Sequence, residues 1–387
     1  MKSNQAATED RKLRAMLVIS NLTFGGAERQ VVEIANHLES KGLEVHVCIL
    51  SEHAPLASRL KLPARLHKIP KAHKYDFSVV FALRRLIRQL NIDVVHGFLF
   101  DAEIASRLAG WFTKAMVIGS ERNSEYRYGN VHYYAYRLTS KLVSMCIANS
   151  NAGRRLNQAT FGHADDHYRV IYNGVDLERF RVRDANWAKC NLQPVGEKFV
   201  IGMVGSFKPQ KNHHYLLEVI CELKKKRTDF VVLVAGTTIF EGDDESNRYL
   251  SEIKQRINEL DLGQHVHLIG AVERVEYFYP LCHLTVLTSK HEGTPNVALE
   301  SLACGTPVVA TNVADNAYVI PHERVGYVVP GDDASLFAET IEQVLINPDL
   351  LNRLQIAARE WVVSEFSTSD MAQNFRLAYE QITSRLK

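Results

Sequence analysis

No stretch of the 387 residues stays apolar for the roughly eighteen positions that a membrane-spanning helix needs. The opening run, MKSNQAATEDRKLRAMLVIS, has no ordered series of basic, apolar and small-residue regions, so no secretory leader is expected. Cysteine is sparse. Cys48, Cys146, Cys190, Cys221, Cys282 and Cys304 are scattered and none forms a CxxC pair. That spacing predicts neither a zinc site nor a disulfide framework, and a reduced cytoplasmic setting fits it best. No GxGxxG follows the first apolar run, where only the adjacent glycines of FGGAER stand, which argues against a nicotinamide dehydrogenase. Short internal repeats and low-complexity segments are also missing.

What remains is a globular chain, 46% apolar and 23% charged, long enough for two or three domains with their own cores. Its net charge of +2 hides an asymmetry. Residues 1–190 carry 28 Lys/Arg against 18 Asp/Glu (+10), and the rest carry 18 against 26 (−8). A basic first half suits an anionic partner such as a membrane surface or a phosphate-bearing acceptor, and equally an uneven solvated surface. Short apolar runs alternate with amphipathic stretches twice over. Strands are predicted at Ala15–Ser20, Glu44–Leu50, Asp93–Gly97, Ala115–Gly119, Met145–Asn149 and Arg169–Tyr172. A second set follows at Phe199–Val204, Phe230–Ala235, Val266–Gly270, Leu284–Thr288 and Pro307–Ala310. Runs such as VVLVA are too uniformly apolar for one-sided strands and read as central parallel strands. The expected fold is α/β, two Rossmann-like doubly wound domains facing a cleft, divided as 1–185 and 197–367. A C-terminal helix at about 368–387 is expected to pack back on the first.

The segment most suggestive of chemistry is Thr288–Thr311, TSKHEGTPNVALESLACGTPVVAT. Thr294 and Pro295 read as the cap and first residue of a helix that runs to about Ala303 and stops at Gly305. The start of that helix, with Gly293 beside it, is a natural anion site. Glu292 before the helix and Glu300 within it are placed roughly 8 Å apart along the axis, a span suited to one ligand with hydroxyls at both ends. An ordinary strand-to-helix connection has the same spacing, and spacing alone does not choose.

EGTPNVALE resembles the Glu–seven residues–Glu motif of the family 4 ("group 1") retaining glycosyltransferases, enzymes of the GT-B fold. The resemblance runs from residue 16 to about 331 and covers GMVGSFKPQKN (202–212), IYNGVDLERF (171–180), FGGAER (24–29) and GYVVPGD. It implies that Glu292 contacts the transferred sugar and Glu300 the nucleotide ribose. The backbone at Gly293, Thr294, Pro295, Asn296 and Val297 would face the sugar and diphosphate. Lys211 would neutralise the leaving diphosphate, and Gly25 and Gly26 would let backbone approach the donor. The family usually has an arginine where Ser206 stands here, and Lys208 is the available substitute. A first-domain histidine common in relatives is also missing. Glu121, Arg122 and Asn123 occupy that stretch, with Arg122 and Asn123 as acceptor candidates. His96, at a strand end, joins the catalytic candidates with Glu292 and Lys211, although a histidine there equally serves as a structural hydrogen-bonding group.

The resemblance implies a hexosyl-type transfer with retention. The donor is a nucleotide-sugar, UDP-linked first and GDP-linked second. The acceptor is lipid-linked or a polysaccharide, in cell-surface glycan synthesis. No cofactor and no metal are expected, since the nucleotide-sugar is a substrate and no DxD ends a strand. Asp243–Asp244–Glu245 reads as an acidic loop between helices, and Asp332–Asp333 as a helix cap. A nucleotide-sugar epimerase on the same fold and a non-catalytic basic binding protein are the alternatives; no nucleic-acid partner is expected. Tyr126, Tyr128, Tyr133, Tyr134 and Tyr136 lie among basic residues and suit either an interface or a buried stripe. In FALRRLIRQL, Arg84, Arg85 and Arg88 recur at helical spacing with Phe81, Leu83, Leu86, Ile87 and Leu90. That helix is expected either to rest on the cytoplasmic membrane face or to turn its apolar side to the sheet.

Overall fold

In the computed structural model, residues 11–73, 76–122, 129–238 and 244–384 are described. The first sheet comprises β1 (Arg14–Ile19), β2 (Glu44–Ile49), β3 (Leu66–Lys68), β4 (Val94–Phe98), β5 (Met116–Glu121), β6 (Met145–Ala148) and β7 (Tyr168–Val170). The second comprises β8 (Phe199–Val204), β9 (Phe230–Ala235), β10 (Val266–Gly270), β11 (Leu284–Leu287), β12 (Val308–Thr311) and β13 (Gly326–Val329). Their orders are β3-β2-β1-β4-β5-β6-β7 and β10-β9-β8-β11-β12-β13, with every pairing parallel. Each order reverses beside the first strand of its sheet, the topological switch point where an open α/β sheet presents its ligand crevice. The fold is therefore the expected pair of Rossmann-like domains.

Central strands are buried along nearly their whole length. Ala15 to Ile19 on β1 and the β9 run FVVLVA are at most 3% exposed. Helices cover both faces, which is why these strands carry no polar alternation. Two strands escaped the sequence reading. β3 is a three-residue, half-exposed edge strand, too short to show a period, and β13 lies within GYVVPGD. β7 starts one residue earlier than expected and stops at Val170. Asp244 and Glu245 open the helix Asp244–Glu259 rather than forming a loop, where they favour its positive end; Asp243 lies outside the described residues. Asp333 caps the helix Ala334–Leu345 by accepting from the Leu336 N–H at 2.9 Å.

The C-terminal helix Thr368–Ser384 returns to the first domain. Its Met371, Phe375, Tyr379 and Ile382 share one core with β1, β2 and the helix Gly26–Ser40. The chain thus crosses between the domains twice, once through 171–198 and once ahead of this helix.

Candidate active site between the two domains

The segment between β11 and β12 reaches across the cleft and touches the first domain. Its helix runs Asn296–Ala303, with Pro295 at the cap position and no side-chain cap. Thr294 therefore does not cap the helix as expected. Its buried hydroxyl donates to the Asn149 carbonyl of the first domain and accepts from the Asn173 N–H at 3.4 Å. Asn296 is similarly engaged. Its amide donates to the Gly26 carbonyl (3.3 Å) and accepts from Gln30 (3.2 Å) and Asn173 (2.7 Å). In this conformation the Thr294 and Asn296 side chains serve the domain joint, so a donor contact at those two positions falls to the backbone. Gly293 has a tighter reason than ligand approach: a Cβ there would lie 2.5 Å from Asn149 Oδ1 and 2.6 Å from the Arg122 carbonyl.

Glu292 and Lys211 form a buried pair. Lys211 Nζ donates to Glu292 Oε1 at 2.5 Å, and Ser289 Oγ donates to the same oxygen at 2.6 Å. Burial alone pushes the Glu292 carboxyl up, but the charge and hydrogen bond of Lys211, the Ser289 hydroxyl and the field of Lys208 outweigh it. The carboxyl settles below its usual range and stays ionised. Lys211 closes the 3₁₀ turn Pro209–Lys211 after β8, and Lys208 precedes that turn. Burial and the repulsion of Lys211 lower the Lys208 ammonium, while Glu292 and Glu28 hold it up. Two lysines and two carboxylates thus share one electrostatic cluster. Glu28 comes from the glycine-rich entry to the helix Gly26–Ser40, and burial pushes its carboxyl up. That carboxylate folds over Gly25, where a Cβ would meet Glu28 Oε2 at 2.1 Å. Ser206 sits in the turn after β8, half-buried.

Glu300 lies just over one turn into its helix. Tyr279 donates to Oε2 at 2.8 Å, and Arg29 of the first domain stands 3.6 Å from Oε1. Burial pushes this carboxyl up, against the pull of Arg29 and the Tyr279 hydrogen bond. Beside Glu300 lies a small open cleft lined among others by Arg29, Glu33, Arg59, Asp176 and Arg179. Arg29 and Tyr279 were not singled out in the sequence. Arg29 stands within FGGAER, but nothing local places it against a carboxylate 271 positions later.

The remaining candidates separate. His96 on β4 is fully buried, sharing 2.7 Å hydrogen bonds with Tyr379 through Nδ1 and with Ser120 through Nε2. Burial, helped by Arg122, holds its imidazole well below the usual range. With both ring nitrogens engaged it acts here as a neutral tie between β4, β5 and the C-terminal helix, not as a group facing the cleft. Arg122 leaves β5 toward the joint, where its guanidinium donates to Asn173 Oδ1 at 2.8 Å. Asn123, Tyr126 and Tyr128 lie outside the described residues. Tyr136 is buried, with the Arg107 guanidinium 4.6 Å over its ring, whereas Tyr134 is exposed.

A second clasp lies further along. Asp315 of the second domain accepts from the first two N–H groups of the helix Asn151–Phe161 (Asn151 at 2.5 Å, Ala152 at 3.0 Å) and from Tyr172 OH at 2.7 Å. A carboxylate at a helix N-terminus is stabilised by the unpaired amides and by the helix dipole.

A glycosyltransferase family 4 model matches residues 24–179, and a glycosyl transferases group 1 model matches residues 189–361. The putative glycosyltransferase YtcC of Bacillus subtilis is 26% identical over 62% of this chain and 61% of its own length. The lipopolysaccharide core biosynthesis glycosyltransferase LpsE of Rhizobium meliloti is 25% identical over 89% of this chain and 92% of its own. Among solved structures, Anabaena HepE in complex with UDP superposes with a TM-score of 0.83 at 18% identity, covering 95% of this chain and all of that one. The two domains and their order agree with these matches: the chain belongs to the GT-B glycosyltransferases, with a family 4 first domain and a group 1 second domain.

Proposed function

We propose that the chain moves a sugar, with retention of configuration, from a nucleotide-sugar to a lipid-linked or polysaccharide acceptor in cell-surface glycan synthesis. A UDP-sugar is the preferred donor and a GDP-sugar the second choice. The observation that carries the reading is the buried Lys211–Glu292 pair beside Lys208, with Glu300 on the same segment. A lysine pair suits a diphosphate, and a carboxylate on either side suits the hydroxyls of a sugar and a ribose. HepE, solved with UDP, and LpsE, a lipopolysaccharide enzyme, support the donor and acceptor classes.

In the proposed reaction the bond between the sugar's anomeric carbon and the diphosphate oxygen breaks. The acceptor oxygen bonds to that carbon from the same face, and its proton passes to the leaving phosphate. Lys211 and Lys208 stabilise the negative charge that grows on that phosphate, the term expected to lower the barrier most. Glu292 holds the sugar hydroxyls, Glu300 the ribose, and Gly25 and Gly26 admit the donor to the first domain. Arg122 and Asn123 are retained as acceptor contacts. No cofactor or metal is invoked, because the lysines supply the positive charge. Clasping of the domains excludes the water that would hydrolyse the donor. A lipid-linked acceptor places the enzyme on the cytoplasmic face of a membrane, in keeping with the basic first half.

The test is the release of free nucleotide from UDP-sugars with and without a glycan acceptor, alongside thermal stabilisation by UDP, GDP, ADP and NAD. Acceptor-dependent release and stabilisation by UDP are expected. Conversion of the donor without an acceptor would indicate the epimerase reading, and stabilisation by NAD alone would overturn the donor class.

A further inference from the structure

The helices Ser78–Gln89, Phe100–Gly110 and Asn130–Thr139 pack side by side on the first domain. The aliphatic residues of the first behave as a surface helix requires. Val79, Val80, Leu83 and Ile87 are buried against the sheet, and Leu86 and Leu90 are half-buried. Only its aromatics stand out: Phe77 is 64% and Phe81 68% exposed. The neighbouring helix adds two more where it ends, Trp111 at 51% and Phe112 at 65%, their rings stacked 4.6 Å apart.

This cluster is held in place by arginines. The Arg84 guanidinium lies 6.0 Å from the Phe81 ring and 5.6 Å from the Phe112 ring while donating to the Leu108 and Ala109 carbonyls. Arg88 donates to the Phe112 carbonyl at 2.8 Å. Phe112 itself has φ +69°, a left-handed conformation that a bulky side chain adopts only when its surroundings impose it. Backbone strain and two arginines are thus committed to presenting a pair of aromatic rings to the outside. The third helix continues the pattern with Val131, Tyr134 and Leu138 exposed at i, i+3 and i+7, beside Arg137 and Lys141.

Cations outnumber anions on this layer, although the ionised Asp76 stands next to Phe77. The first and third helices contain no acidic residue. The middle helix has two, but Asp101 is paired with Lys71 at 2.9 Å and Glu103 is buried against Arg107 at 2.7 Å. Exposed Arg85, Arg88, Lys114 and Arg137 are left around the rings.

We propose that this face docks the enzyme on an anionic lipid surface, with Phe77, Phe81, Trp111 and Phe112 entering the headgroup boundary and the surrounding cations meeting lipid phosphates. A tryptophan ring, apolar at one end and polar at the other, settles at that boundary, phenylalanine rings add apolar area that enters it, and basic residues near it add electrostatic attraction. The inference deepens the membrane location given above and rests on no donor assignment.

The test is co-sedimentation of the full chain with phosphatidylcholine vesicles, with and without phosphatidylglycerol, at low and high salt. Three variants are compared with wild type. Phe81→Ser/Trp111→Ser/Phe112→Gly removes the rings and places at 112 the residue best suited to its φ. Arg85→Ala removes one cation, and Leu377→Ser alters an exposed leucine on the C-terminal helix as a control. Wild type and Leu377→Ser should bind only phosphatidylglycerol vesicles and dissociate as salt rises. Arg85→Ala should bind roughly fivefold more weakly, and the aromatic variant at least tenfold more weakly. A wild-type circular-dichroism spectrum and cooperative melting in every variant show that the fold survives. Absence of vesicle binding by wild type, equal binding to neutral vesicles, or wild-type binding by the aromatic variant would each overturn the proposal. So would sedimentation showing a dimer that the aromatic variant dissolves without any vesicle binding.

Discussion

Single residues at the joint carry constraints that their chemical type alone does not reveal. Gly293 faces Asn149 and the Arg122 carbonyl so closely that one methyl group must push the domains apart. Gly293→Ala is expected to cost roughly 1–3 kcal/mol, as overpacking does, and to lower turnover more than stability accounts for. Equilibrium unfolding and steady-state rates measure both; a variant indistinguishable from wild type in each would remove the steric argument. Glu33 lines the cleft beside Asp176, and burial and then Asp176 push its carboxyl up to about 7 from 4.5. The folded chain therefore holds this proton more tightly than the unfolded chain. The group is neutral and costs nothing below about pH 4.5, and its cost grows as pH rises through 7. Glu33→Gln should leave the melting temperature unchanged in acid and raise it by roughly 2–4 °C at alkaline pH. A gain that is equal at both pH values would contradict the assigned shift.

Among the elements, the helix Asn151–Phe161 is completed by a side chain from the other domain. Asp315 supplies its first two amides with acceptors and holds Tyr172 as well. Asp315→Ala should lose about 1.5–3 kcal/mol, the usual worth of a charged hydrogen bond, and Asp315→Asn less. If the clasp sets the spacing of the domains, small-angle scattering of Asp315→Ala should also show a larger radius of gyration. An unchanged radius would confine Asp315 to local capping.

At the scale of the whole molecule, what was legible in the sequence was what is local. Parallel strands announce themselves by uniform apolar runs, so eleven of the thirteen strands among the described residues were placed, while β3 at three residues was too short to show any period. Glu292, Thr294 and Glu300 stand in one segment and were found together. The partners that give them their environment were not, because Tyr279 reaches Glu300 only through the fold of the second domain, and Arg29, Asn149 and Asn173 reach the segment only when the two domains meet. His96 shows the same limit. Its strand is evident in VVHGF, but its burial depends on Tyr379, 283 positions away. The Thr294 cap failed for a related reason, since its hydroxyl serves the opposing domain instead of its own helix.

In the proposed donor complex Glu300 and Lys211 hold the two ends of a nucleoside diphosphate. Calorimetric titration of UDP into wild type, Glu300→Ala and Lys211→Ala measures it directly. Saturable binding to wild type is expected, weakened roughly 10- to 150-fold in each variant by the loss of about 1.5–3 kcal/mol of charged hydrogen bonding. Wild-type affinity in Glu300→Ala and Lys211→Ala would contradict it and move the donor site elsewhere.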